Sequence, residues 1–176
     1  MSEFNPLKLL YFPDPILKKV CEPVADIFDV QALAHDMILT MMVEGGVGLA
    51  APQVGHAIRL FVVDVDWVKD RENPIEAANP YIFINPTVRL SPGEVEVNER
   101  CLSFPGEGMP TKRARAVEVE ATGIDGEPFT LHAEGLLAIA IQHEADHLDG
   151  KTLGDRMGEM RKMMVRKNIA KKIRGK

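Results

Sequence analysis

Two histidines four positions apart, in His143-Glu144-Ala145-Asp146-His147, constrain this chain more than any other feature. On a helix that spacing places both imidazoles on one face, about one turn apart. Both can then reach a single metal ion at about 2 Å per bond. Glu144, lying between them, is placed to take a proton from a metal-bound water, so hydrolysis is the first chemistry the pattern indicates. The alternative is a helix that carries two surface histidines by chance.

The rest of the chain supplies the frame. Asp14-Pro15 predicts a short helix near Ile16 to Val20, with proline in its first turn. Apolar residues from Asp29 to Val43 repeat at helical spacing, and Gly45 and Gly46 end that helix. The stretch Gly46 to Gly55 is too rich in glycine, and too interrupted by Pro52, for a regular element. Ile58 to Val65 reads as a buried strand, 66–80 as a loop, and Tyr81 to Leu90 and Glu94 to Val97 as strands. Ala116 to Thr122 and Phe129 to His132 form a hairpin across Asp125-Gly126. Leu136 to Ile141 is apolar on all sides, which predicts a buried start to the helix bearing the histidines. A last helix spans about Met157 to Lys172, with Met160, Met164, Ile169 and Ile173 on a loose stripe. Antiparallel turns and strands followed by a buried helix predict an α+β fold. Antiparallel or mixed sheets should pack around a central helix that carries the histidines, with a C-terminal helix beyond it.

At 176 residues the chain reads as one domain, with no apolar run of the about 18 residues a membrane span needs. Met1 to Pro6 lacks a basic region followed by an apolar stretch, and two cysteines make no disulfide framework, so the expected compartment is the cytoplasm. Charge is unevenly spread. Residues 151–176 hold ten Lys or Arg and two acids, net +8, while residues 1–150 carry net −13. The basic segment reads either as a footprint for nucleic acid or a ribonucleoprotein surface, or as a solvated or docked tail.

A catalytic metal wants three protein ligands and one open position. Cys101, Cys21, His132, His35, His56, Asp155 and Glu159 are the candidates for the third. Cys101 has the better context, because Glu99-Arg100-Cys101-Leu102-Ser103 follows a strand and runs into a turn. Cys21 reads as a buried small residue, and His132, His35 and His56 as structural or surface residues.

Three segments together resemble the bacterial peptide deformylases: Gly46-Val47-Gly48-Leu49-Ala50-Ala51-Pro52-Gln53, Glu99-Arg100-Cys101-Leu102-Ser103, and Gln142-His143-Glu144-Ala145-Asp146-His147. Asp14-Pro15-Ile16-Leu17 adds to the likeness, which reaches about residue 155. The resemblance implies a metal hydrolase that removes the formyl group from N-formylmethionyl nascent chains and releases formate. It assigns Cys101, His143 and His147 to the metal and Glu144 to general base, with Gln53 and the Leu102 amide as oxyanion donors. Val47, Val97, Leu136 and Ile139 are expected to line a pocket for methionine, with Gly48 giving the peptide backbone room. The implied ion is divalent, Fe²⁺ in the cell and Zn²⁺ or Ni²⁺ in purified protein.

Two departures touch the peptide path. Family members usually carry glycine where this chain has Arg100, and many carry an arginine where it has Gly106-Glu107-Gly108. Arg100 either narrows the cleft, binds a substrate carboxylate or a distal acidic side chain, replaces the missing cation, or points into solvent. Asp146 and Glu99 are expected to support the site, Asp146 through Arg113. The catalytic unit is expected over 1–155, with 156–176 as a basic C-terminal helix or tail of the same domain. That helix could dock on the ribosome, and its removal would then leave activity on short peptides intact. The rival readings are a relative hydrolysing another small amide, and a non-catalytic protein that binds formyl peptides or ribosomes.

Overall fold

The computed structural model describes residues 6–175, with Glu107 described only in its backbone, so the N-terminal stretch read for targeting lies almost wholly outside the described residues. Helix α1 spans Gln31–Val43, preceded by a 3-10 turn at Phe28–Val30, and buries Ala34, Met37, Ile38 and Met41. Asp14-Pro15 opens a 3-10 turn at Pro15–Lys18 rather than an α-helix, with the Asp14 carboxylate accepting from the Ile16 amide at 3.0 Å.

Two stretches expected to be irregular hold short elements. Strand β1 (Gly48–Ala50) and a 3-10 turn (Ala51–Val54) occupy the glycine-rich segment, because small residues let the chain pair closely with β2 (Leu60–Val63). In the 66–80 loop, Trp67–Lys69 forms a 3-10 turn and Pro74–Ala77 a short helix, α2. The buried Asp64 carboxylate organises that loop by accepting from the amides of Asp66, Trp67 and Asn79.

Strands β3 (Tyr81–Leu90), β6 (Ala116–Thr122) and β7 (Pro128–Glu134) complete an antiparallel five-stranded sheet of order β1-β2-β3-β6-β7. The apolar run around β2 is explained by cover on both faces. Leu60 and Val62 join the cluster containing α1, whereas Phe61 and Val63 join the cluster beneath helix α3 (Gly135–Leu148). Phe83 sits at the centre of the second cluster, 4.7 Å from Phe61 and 5.6 Å from Phe129 between ring centroids.

A separate two-stranded sheet pairs β4 (Glu94–Cys101) with β5 (Phe104–Ala114). β4 runs four residues past its expected end, and β5 was not expected at all. Pro105, Gly106, Gly108 and Pro110 read as strand breakers, yet β5 pairs on one side only, where proline and glycine are tolerated. Helix α3 joins the two sheets: the Gln142 side chain donates to Ala114 O and accepts from Ala114 N, each at 2.9 Å. Its first turn differs from expectation. Leu136 is 51% exposed, and burial begins at Ala138.

Helix α4 (Glu159–Arg174) keeps only Ile169 of the expected stripe turned inward, with Val165 beside it. Val165 and Ile169 are buried against Cys101, Phe104, Leu153 and Met157, while Met160, Met164 and Ile173 stay exposed. Asn168 donates to Pro105 O at 3.0 Å and Arg161 to Gly108 O at 3.1 Å, so α4 braces β5. Cutting away residues 157–176 would therefore strip one wall of the cluster that contains Cys101, against the expectation that the tail is dispensable for activity. Among the described residues, no helix is long and apolar enough to cross a membrane.

Phe83 is fully buried within its aromatic cluster. Phe83→Ala is expected to cost about 3–5 kcal/mol in equilibrium urea unfolding. A loss below about 1 kcal/mol would show that the core closes over the cavity.

Candidate metal centre

Helix α3 presents His143 and His147 one turn apart, with ring centroids 5.2 Å from each other. Cys101 ends β4, immediately before the Leu102-Ser103 turn into β5. One ligand atom from each of Cys101, His143 and His147 lies within 4.8 Å of the other two, and all three residues are buried. Cys101 Sγ is 3.4 Å from His147 Nε2. This is the one such trio among the described residues. The other candidate ligands lie elsewhere: Asp155 pairs with Lys18, Glu159 with Lys162, His132 lies near Glu118 on an exposed strand, and His35 and His56 are exposed.

Glu99 orients the first histidine. Its Oε2 lies 2.8 Å from His143 Nδ1, so Nδ1–H donates to the carboxylate and Nε2 is left for a ligand. Arg113 grips Glu99 through Nε and, at 2.9 Å, through Nη2, and its Nη1 donates to Asp146 Oδ2 at 2.7 Å. The expected Asp146–Arg113 pair is present. Burial pushes the Glu99 carboxyl up, but hydrogen bonds from Arg113 and His143 prevail and hold it at about 2. Burial also opposes charge on both histidines. At His143 the neighbouring Cys101 sulfur and Glu99 outweigh it and raise the pKa well above the ordinary value. At His147 burial prevails and keeps the ring neutral. The cluster thus pairs a sulfur with two imidazoles. That donor set fits a divalent ion such as zinc or ferrous iron.

Glu144 lies alongside. Burial pushes its carboxyl up to about 7, and Oε2 is buried with no hydrogen-bond partner among the described residues. A Cβ built on Gly48 would collide with Glu144 Oε1, so only glycine at 48 leaves the carboxylate its place. Gln53, on the turn after β1, is pinned by the Ala50 amide donating to its Oε1 at 2.8 Å. Its Nε2 donates to Ser103 Oγ at 3.2 Å and lies 3.6 Å from Cys101 Sγ.

These residues line one cavity of about 490 Å³, open between the unpaired edges of β1 and β4. Val47, Gly48, Gln53, Val97, Arg100, Cys101, Leu102, Leu136, Ile139, His143 and Glu144 all face it, whereas His147 lies behind. Arg100 is exposed, and its side chain makes no hydrogen bond or ion pair among the described residues. The exposed first turn of α3 forms the apolar wall of this cavity, which explains why Leu136 stays uncovered. Sequence reasoning missed Pro105 and Lys172, which also line it. Neither belongs to a motif, and only the docking of α4 on β5 brings Lys172 there.

The folded Glu99 value of about 2 lies below its ordinary 4.5, so the ionised carboxylate stabilises the fold fully above pH 4.5. That contribution is lost as pH falls through about 2. Glu99→Gln is expected to flatten this acid limb in metal-free protein. It should also weaken zinc binding, measured by chelator competition, by about 10- to 100-fold. Unchanged zinc affinity would remove Glu99 as the orienting group.

Known proteins resemble this chain in sequence and fold over most of its length. The family model described as polypeptide deformylase matches residues 6–163. The chain is 46% identical over 143 residues to peptide deformylase 1 of Clostridium perfringens, covering 81% of this chain and 91% of that one. A crystal structure of a peptide deformylase from Legionella pneumophila superposes with a TM-score of 0.83 at 40% identity, covering 97% of this chain and 96% of its own. A Synechococcus elongatus peptide deformylase, solved in complex with actinonin, gives 0.80 at 35% identity, with 98% and 90% covered. Sequence and fold agree over nearly the full length, and this chain belongs to the polypeptide deformylase family.

Proposed function

We propose that Cys101, His143 and His147 hold the catalytic ion of a deformylase acting on N-formylmethionyl nascent chains, with Glu144 as its base. The family removes N-formyl groups from nascent polypeptides with the help of a metal. The observation that carries the residue assignment is the buried sulfur–imidazole trio beside an unbonded Glu144 oxygen, in a cavity between two free strand edges. A divalent ion held by Cys101, His143 and His147 would supply Lewis acidity towards the formyl carbonyl and the attacking water.

The protein's own groups do the rest. Glu144 Oε2 takes a proton from the water as its oxygen adds to the formyl carbon, then passes that proton to the methionine nitrogen as the C–N bond breaks. Formate and a free amine result. A carboxyl pushed up to about 7 by burial is suited to both accepting and returning the proton near neutral pH. Gln53 Nε2 and the Leu102 amide donate to the oxyanion that develops on the formyl oxygen. Fixing Gln53 through Ala50 and Ser103 prepares that donor before substrate arrives. Val47, Val97, Leu136 and Ile139 supply the apolar wall for the methionine side chain. An extended peptide can pair with the β1 edge at Gly48 and with the β4 edge near Arg100.

We assign Fe²⁺ as the ion in the cell, with Zn²⁺ or Ni²⁺ taking its place in purified protein; the sulfur and imidazole donors suit each. The same reading places the enzyme in the cytoplasm. Residues 1–155 form its catalytic unit and 156–176 a basic helix of the same domain. Lys167, Lys171 and Arg174 lie on the exposed face of α4, and through them we propose contact with the ribosome.

Glu144→Ala should slow formate release from an N-formyl-Met tripeptide by about 10²- to 10⁴-fold while one ion per chain is retained. Gln53→Ala should slow it by about 10²- to 10³-fold. A fully active, metal-loaded Glu144→Ala enzyme would end the assignment of the base. Converting Lys167, Lys171 and Arg174 to glutamate should reduce co-sedimentation with ribosomes at low salt. Undiminished co-sedimentation would discard that contact.

A further inference from the structure

Lys172 reaches the substrate cavity from the far end of α4, and nothing in the mechanism uses it. It lies outside residues 6–163 that match the family model. Its Nζ donates to Glu44 Oε2 at 2.8 Å and sits 5.7 Å from the centre of the Tyr11 ring. The side chain is 31% exposed and that of Glu44 13%, so the pair is partly shielded from water. Behind it, Ile169 is buried against β5, and Asn168 donates to Pro105 O, which fixes this turn of α4 at the cavity wall.

The charges around the cavity divide by depth. Glu99 and Glu144 are buried at its floor, and Glu99 is already taken by Arg113 and His143. The cationic side chains lining it among the described residues, apart from the histidine on the floor, are Arg100 and Lys172, both reachable from solvent. An ammonium has three donors, and Glu44 takes one. Among the described side chains the opening therefore presents two cations, Arg100 and Lys172, the second held by Glu44.

We infer that Lys172, with Arg100, determines specificity by favouring formyl-methionyl chains that carry an acidic side chain one or two residues after the methionine. This rests on the deformylase reading and names a substrate class within it. Glu44 holds the ammonium in place and partly offsets its charge, so Lys172 is a selector with a built-in brake. Removing the brake should sharpen the preference, and removing the cation should blunt it.

The test is formate release by metal-loaded enzyme from C-terminally amidated N-formyl-Met-Ala-Glu, -Gln and -Lys, and from the isomers with the variable residue second. Wild-type kcat/KM is expected to favour Glu over Lys by about two- to five-fold, the size of a partly exposed ion pair, with the difference carried by KM. In Lys172→Gln the Glu-to-Lys ratio should fall towards one. Lys172→Arg should keep it, and Glu44→Gln should raise it. Binding of the deformylated Met-Ala-Glu and Met-Ala-Lys amides by calorimetry should show the same order without turnover. Equal rates for all charges in wild type, or a ratio unmoved in both Lys172→Gln and Glu44→Gln, would overturn the inference. Absence of formate from every peptide would instead overturn the deformylase reading beneath it. A purely structural role for Lys172 would lower all rates together and leave the ratio alone.

Discussion

A single carboxylate ties the site to the fold. Glu99 stands on β4, receives the forked guanidinium of Arg113 from β5, and orients His143 on α3. Arg113 continues to Asp146 on the same helix, so the hairpin and the helix are joined at two points one turn apart. Charges this deeply buried are tolerated because each is met by a partner; a lone Arg113 or Glu99 would carry a heavy desolvation penalty. The network therefore fixes ligand geometry and sheet packing together, and a change in one is felt in the other.

The rest of the site follows from how little space surrounds that helix. Gly48 lets the β1 edge lie against Glu144, whose burial shifts it towards neutrality. Gln142, two positions before Glu144, spends its whole amide on the backbone of Ala114 and its own helix. Neighbours on α3 thus have opposite employments. One side holds the hairpin, and the other faces the cavity.

Legibility in the sequence tracked the range of the interaction responsible. The spacing of His143 and His147, the limits of β3 and β6, and the α1 pattern are local, and the structure has them where the sequence placed them. Strand β5 was hidden because Pro105 and Pro110 forbid an interior strand, yet its one-sided pairing lifts that ban. β1 is too short for any periodicity to register. For α4, hydrophobicity pointed to Met160, Met164, Ile169 and Ile173, but the surface offered by Phe104 and Leu153 took only Ile169 of these and added Val165. Lys172 was invisible for the same reason: its place is set by a tertiary contact 128 positions away in the chain, at Glu44.

The cavity opens between the edge of a five-stranded sheet and the edge of a two-stranded one. An extended chain laid across that gap would be a temporary strand, closing two incomplete sheets into one. Most of its hydrogen bonds would come from amides and carbonyls that every polypeptide shares, so recognition would be blind to sequence along most of its length. A surface of that kind would accept chains of many sequences, leaving discrimination to the few side chains that line the cavity.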